Sequence, residues 1–241
     1  MLAPNLNSPK ISKLKEHFLF KQHYDIYQKI LPLVKPSHYN KDDIILHYGD
    51  KANYFFIVLS GWIKLTKQTP DGNEVIIRLC AEDDVFGEVA LLQRSEYPYS
   101  VQALANDTEI LLIPAENIRI HIEKDKSFSA TIMSILVENI SQAELKFEHS
   151  KTMCATQRLG CFLLCLCHEQ KIGSINLHIP VEKNILATYM GIKPETLSRS
   201  QQQLKQYGVA ITGADVVIES IEKLKNFVCN SCSKFELTEI Y

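Results

Sequence analysis

The chain has 241 residues, 46% of them apolar, and a formal net charge of −2. That length suits one or two domains with ordinary folded cores, and no apolar run is long enough to cross a bilayer. The near-neutral balance excludes a polycationic, non-specific nucleic-acid binder but not a reader whose contacts sit on one helix and its flanks.

The N-terminal stretch MLAPNLNSPKISKLKEHFLF has no basic-then-apolar export signal, and the seven cysteines, odd in number and unevenly spaced, do not form a secreted disulfide pattern. A reducing cytoplasm is expected. Residues 1–15 hold two prolines and few apolar groups, which predicts a loose arm, taken as residues 1–20. From Glu16 to Leu33 the pattern suits one or two short helices, with Phe18, Phe20, Tyr24, Tyr27 and Ile30 facing inward and Pro32 and Pro36 closing the segment.

From His38 to Ile113 short apolar runs alternate with turns. Predicted strands are Asp43–His47, Phe55–Ser60, Trp62–Gln68, Glu74–Cys80, Tyr99–Ala105 and Glu109–Ile113. Asp71-Gly72 between two of these runs is a strong hairpin signal. Many short strands at regular spacing predict a jelly roll, sandwich or barrel, here over residues 21–115. A short helix follows at Ala115–Glu123, and Asp125 or Ser127 can cap a long one. Within that helix Met133, Leu136, Ile140, Ala143, Phe147, Ser150 and Cys154 recur at 3-4 spacing, the a/d seam of a coiled coil. Ile132 and Ile135 fall off the seam, on a face suited to the strand domain. The helical region is residues 116–152.

The last domain, residues 153–228, opens on a helix predicted over Met153–Glu169 and a strand over Asn176–Val181. The stretch Ile179–Ile211, IPVEKNILATYMGIKPETLSRSQQQLKQYGVAI, reads as a helix-turn-helix. Its first helix runs from about Glu182 to Met190, with Ile185, Leu186 and Met190 inward and Ala187 small enough for a second helix to cross. Gly191 ends it, Ile192 re-enters the core, and Pro194 starts the next helix. Leu197 and Leu204 face inward, whereas Ser200 stands where an apolar residue is expected. Lys193, Glu195, Thr196, Ser198 and Arg199 face outward. Glu accepts a hydrogen bond from cytosine N4, and Arg donates two to guanine O6 and N7. After Tyr207-Gly208, Val209–Thr212 and Val216–Ile218 flank Gly213-Ala214-Asp215 as a hairpin wing without Lys or Arg, and Ile221–Phe227 suits a last helix. Residues 229–241 form a polar tail.

The run IPVEKNILATYMGIKPETLSR resembles the DNA-binding domain of the CRP/FNR superfamily of bacterial transcription regulators, nearest its FNR-like and DNR-like branches, which share Glu-Thr-x-Ser-Arg. The resemblance covers about His17 to Lys225. Tyr48-Gly49-Asp50, FFIVLSGWIK at Phe55–Lys64 and Phe86-Gly87-Glu88 before Ala90-Leu91-Leu92 resemble its cyclic-nucleotide-binding β-roll. The resemblance implies an α+β protein with a β-roll sensor, a long dimerisation helix and a winged helix-turn-helix. It implies a homodimer on palindromic promoter DNA with TTGAT-like half-sites, working with RNA polymerase and without a membrane. In cyclic-nucleotide-binding members a Glu like Glu88 holds the ribose and a downstream Arg-Ser pair holds the phosphate. Tyr97 and Pro98 stand at those two positions and Arg94 is three residues early, so a cyclic nucleotide is not expected. The alternative is a cyclic-nucleotide or other small-ligand module without sequence-specific DNA binding.

The effector and its cofactor are not legible. DNR-like members sense nitric oxide through haem, and His17 and His23 are the histidines that could serve as axial ligand, beside a pocket containing Glu88 and Tyr97. The family's iron–sulfur sensors carry an N-terminal cysteine cluster. The first cysteine here is Cys80, so such a cluster is not expected. Cys229 and Cys232 form one C-x-x-C. One pair is a redox switch or two free thiols, because a structural zinc site needs a second pair; no metal is predicted. Cys161, Cys165 and Cys167 are read as helix packing. The chain has no P-loop, G-x-S-x-G or H-E-x-x-H, and no enzyme is predicted.

Overall fold

The structure is a computed structural model and describes residues 10–11, 14–167, 174–229 and 232. It divides into two compact units, residues 1–140 and 141–241. The division falls inside the long helix that spans Lys126–Thr152.

In the first unit, α1 (Tyr24–Ile30) leads through a 3-10 turn into eight strands: β1 (Lys35–Tyr39), β2 (Ile44–Leu46), β3 (Tyr54–Ser60), β4 (Ile63–Gln68), β5 (Glu74–Cys80), β6 (Val85–Phe86), β7 (Ser100–Ala103) and β8 (Thr108–Pro114), with α2 (Glu88–Gln93) between β6 and β7. They form two antiparallel four-stranded sheets in the orders β1-β8-β3-β6 and β2-β7-β4-β5. The continuous apolar run of β3 has a physical cause. Phe56 and Val58 face the interior of the roll with Ile63, Leu65 and Val101. Phe55, Ile57 and Leu59 face a second core, closed by the N-terminal segment, α3 (Ala115–Lys124) and the start of α4 (Lys126–Thr152). A strand buried on both faces loses the alternation of a half-exposed one. Ile132 and Ile135 of α4 belong to this second core, as expected. Asp125 caps α4, its Oδ1 accepting from the N–H groups of Ser127 (2.9 Å) and Phe128 (3.0 Å).

Three expectations are corrected here. The arm is not loose where it is described: Ile11, Leu14, Leu19 and Phe20 are core residues, although residues 1–9 lie outside the described ones. Phe18 and Tyr24 are exposed, because α1 turns Ile26, Tyr27 and Ile30 inward and Leu19 and Phe20 take the remaining space. Pro36 does not close the segment but sits inside β1, opposite Leu111. β1 is a sheet edge, where the missing N–H of proline is tolerated.

In the second unit, α5 (Ala155–Cys165) is followed by β9 (Ile175–His178), α6 (Lys183–Tyr189), α7 (Pro194–Leu204), β10 (Val209–Thr212), β11 (Asp215–Ile218) and α8 (Ile221–Phe227). The three strands form an antiparallel sheet in the order β10-β11-β9. The helix expected over Met153–Glu169 ends at Cys165, and residues 168–169 lie outside the described ones, as does the tail apart from Cys229 and Cys232. Among the described residues no helix is long and apolar enough to cross a membrane.

Candidate functional site

The helix-turn-helix is built by local hydrogen bonding. After α6, Gly191 takes a left-handed φ of 62°. Its N–H donates to Thr188 O and the Ile192 N–H to Ala187 O, both at 3.0 Å, so the last carbonyls of α6 are satisfied by a Schellman turn. Arg158 of α5 donates from Nη1 to Met190 O at 2.9 Å and closes the same helix end. Lys193 is extended and Pro194 begins α7, where its missing N–H is not needed.

Helix α7 then has two distinct faces. Leu197, Ser200 and Leu204 are buried, while Glu195 and Arg199 are exposed and Thr196 and Ser198 half-exposed. The outward residues therefore occupy the first two turns, where a recognition helix reads base edges. The Ser198 hydroxyl donates to Pro194 O at 2.8 Å, so its lone pairs face outward rather than its proton. Ser200 is accommodated by a buried polar pair: its hydroxyl lies 3.2 Å from that of Thr156, which also donates to Gln203 Oε1 at 2.5 Å. The unusual residue joins α7 to α5 without an orphaned hydroxyl. In the wing, His178 Nδ1 and Asp215 Oδ1 lie 2.8 Å apart.

On α4, Met133 (61% exposed), Ile140 (59%), Ala143 and Phe147 (68%) are open, and Leu136 is half-buried. The predicted seam is thus an apolar stripe that the fold of the single chain leaves largely uncovered.

Inside the roll, Glu88 is buried and follows the left-handed Gly87 turn. Its Oε1 accepts from Asn139 Nδ2 at 2.8 Å and lies 3.6 Å from Arg78 Nη1, while Oε2 has no hydrogen-bond partner among the described residues. Burial pushes this carboxyl up, against the pull of Arg78. Sequence reasoning missed Arg78, which lies on β5, a strand away from the motif. Tyr97 is buried, and its hydroxyl donates to Tyr54 O (2.6 Å) while accepting from Tyr54 N–H (3.0 Å). Burial lifts its pKa to about 12. Arg94 is exposed and pairs with Glu123 at 2.6 Å. The ring of Phe56 stacks on Phe86 with centroids 4.4 Å apart, so aromatic groups fill the interior. A cleft of about 310 Å³ remains beside Tyr54 and Tyr97, lined also by Tyr39, Asp50 and Lys51.

His17 and His23 each have partners within the first unit. His17 uses both ring nitrogens: Nε2 donates to Asp83 O at 3.0 Å, and Nδ1 accepts from Leu19 N–H at 3.2 Å. His23 Nε2 lies 2.9 Å from Thr131 Oγ1, and the ring stands edge-on to Phe128. Both pin the N-terminal segment to the core. Neither is brought to Glu88 or Tyr97 by a contact, and ligating a haem iron through His17 requires breaking one of its two bonds.

Known proteins agree with this architecture. The cyclic nucleotide-binding domain family matches residues 36–125, and the Crp-like helix-turn-helix domain family matches residues 157–227. The global nitrogen regulator of Synechocystis is 24% identical over 188 residues, 76% of this chain and 83% of that protein. The cyclic AMP receptor protein of Thermus thermophilus is 27% identical over 173 residues, 72% and 78% of the two chains. FixK2 from Bradyrhizobium japonicum superposes with a TM-score of 0.71 at 22% identity, covering 81% of this chain and 98% of the other, and shares the fold. A nucleotide-binding-type roll, a long helix and a Crp-type helix-turn-helix, in this order and over this much of the sequence, place the chain in the CRP/FNR family of DNA-binding transcription regulators, which are not enzymes.

Proposed function

We propose that the protein acts as a homodimer that reads a palindromic promoter site with TTGAT-like half-sites, as in the FNR-like and DNR-like branches, and recruits RNA polymerase there. The observation that carries this reading is the outward placement of Glu195, Ser198 and Arg199 on the first two turns of α7. The uncovered stripe of Met133, Leu136, Ile140, Ala143 and Phe147 supplies the dimer seam. A two-fold axis along that seam spaces two recognition helices by one turn of DNA, about 34 Å. The cytoplasm is the corresponding compartment.

The effector in this reading is not a cyclic nucleotide, although the Thermus thermophilus relative is named for cyclic AMP. A buried phosphate needs a fixed cation, and Tyr97, closed on the Tyr54 backbone, provides none. A ligand acting on Glu88 would shift the dimer equilibrium through the Glu88–Asn139 bond, because Asn139 belongs to α4. A footprint on promoter DNA tests the proposal. Two symmetric protected half-sites one turn apart support it, and uniform protection along the duplex contradicts it.

A further inference from the structure

The sequence offered one C-x-x-C, half of a structural zinc site, and the fold brings up the other half. His149 lies in the last turn of α4, Cys161 in α5, and Cys229 and Cys232 beyond α8. All four belong to the second unit. One ring nitrogen and three sulfurs lie within 4.8 Å of one another, with His149, Cys161 and Cys232 buried and Cys229 half-buried. His149 Nε2 is 3.1 Å from Cys229 Sγ, and Cys161 Sγ is 3.8 Å from the same sulfur. Two thiolates each about 2.3 Å from a tetrahedral zinc stand about 3.8 Å apart, so the Cys161–Cys229 pair already has the required spacing.

Two further observations mark a built site. The Cys232 backbone N–H donates to Cys229 Sγ at 3.1 Å, which places a donor on a sulfur that would carry negative charge. Next to Cys161, Gly160 admits the C-terminal segment: a Cβ there would stand 2.9 Å from Val228 Cγ1 and 3.3 Å from Leu224 Cδ1. The missing side chain thus lets the residue before Cys229 press against the helix that carries Cys161.

We propose that His149, Cys161, Cys229 and Cys232 form a mononuclear tetrahedral site for a thiophilic divalent cation, zinc by preference. Three thiolates and an imidazole select this class over calcium or magnesium, which take oxygen donors. An iron–sulfur cluster distributes its thiolates over several irons, whereas these donors converge on one point. Binding forms three metal–sulfur bonds and one metal–nitrogen bond, releases the three thiol protons to solvent and transfers no electrons. The ion ties the end of α4 to α5 and to the C-terminal segment.

The test is elemental analysis of the full-length protein, purified anaerobically with a reductant, followed by chelation and titration with cobalt(II). One zinc per chain, released when a mercurial blocks the thiols, and a cobalt spectrum with intense tetrahedral and thiolate charge-transfer bands are expected. Cys161→Ser and Cys232→Ser should each weaken cobalt binding more than about tenfold. Should either variant fail to fold, the wild-type cobalt titration decides alone. A folded wild-type chain that binds neither zinc nor tetrahedral cobalt overturns the proposal, and so does a chain that carries several irons with inorganic sulfide. Metal content is read without DNA, so this result and the regulator reading stand or fall separately.

Discussion

An arginine in the second turn of a recognition helix can meet guanine O6 and N7 with two parallel hydrogen bonds, and Arg199 is exposed at that place. Arg199→Ala should cost about 1–3 kcal/mol on the matched site and relax the choice at a single guanine, measured by binding to duplexes varied one base at a time. An equal loss on every duplex would make Arg199 a phosphate contact. His17 acts on stability. Burial holds its imidazole below the ordinary histidine value of 6.5, so the unfolded chain binds a proton that the folded chain resists. Its contribution is complete above 6.5 and is lost as pH falls through that value toward the depressed folded pKa. Thermal melts should therefore show stability declining on acidification below 6.5, and His17→Gln should flatten that decline. An unchanged slope in the variant would assign the acid sensitivity to other groups.

At the scale of elements, two helices carry separate predictions. The seam of α4 exposes Ile140 on a face that its own unit does not cover. Ile140→Glu should give folded monomers that no longer hold the palindrome, and a variant that sediments as a dimer would remove the seam from this face. In α5, Gly160→Ala should destabilise by about 1–3 kcal/mol, because the added methyl meets Val228 and Leu224 in a packed contact. Chemical denaturation measures this, and an unaltered midpoint would show that α8 moves aside freely. Local patterning made most elements legible. Glu74–Cys80 and Ile221–Phe227 were read with the boundaries that the structure gives, the first beside an Asp-Gly turn and the second as a compact amphipathic run. β1 was missed because Pro36 reads as a breaker unless the strand is known to be an edge, and β6 has only two residues to show a pattern.

Over the whole molecule, what the sequence concealed is what folding brings together from a distance. The recognition helix was legible because Pro194, Glu195, Ser198 and Arg199 are neighbours in the chain. Arg78 and Glu88 are not, and their encounter depends on the order of strands in the roll. His149 meets Cys229 across 80 residues, which no spacing rule anticipates. Tyr97, Phe56 and Phe86 pack together inside the roll, and no cation stands at Tyr97 to hold a phosphate. Calorimetric titration with cyclic AMP should accordingly give no micromolar binding, and a clear isotherm would restore the nucleotide reading.

The proposed activity is sequence-specific recognition of DNA by a symmetric pair of α7 helices. Its most direct measurement is an equilibrium titration of the full-length protein, by fluorescence anisotropy at physiological salt, onto a TTGAT–ATCAA palindrome and onto a scrambled duplex of the same composition. Binding to the palindrome should be tighter by at least about 10³, with the preference lost when one half-site is inverted. Equal affinity for both duplexes would contradict it.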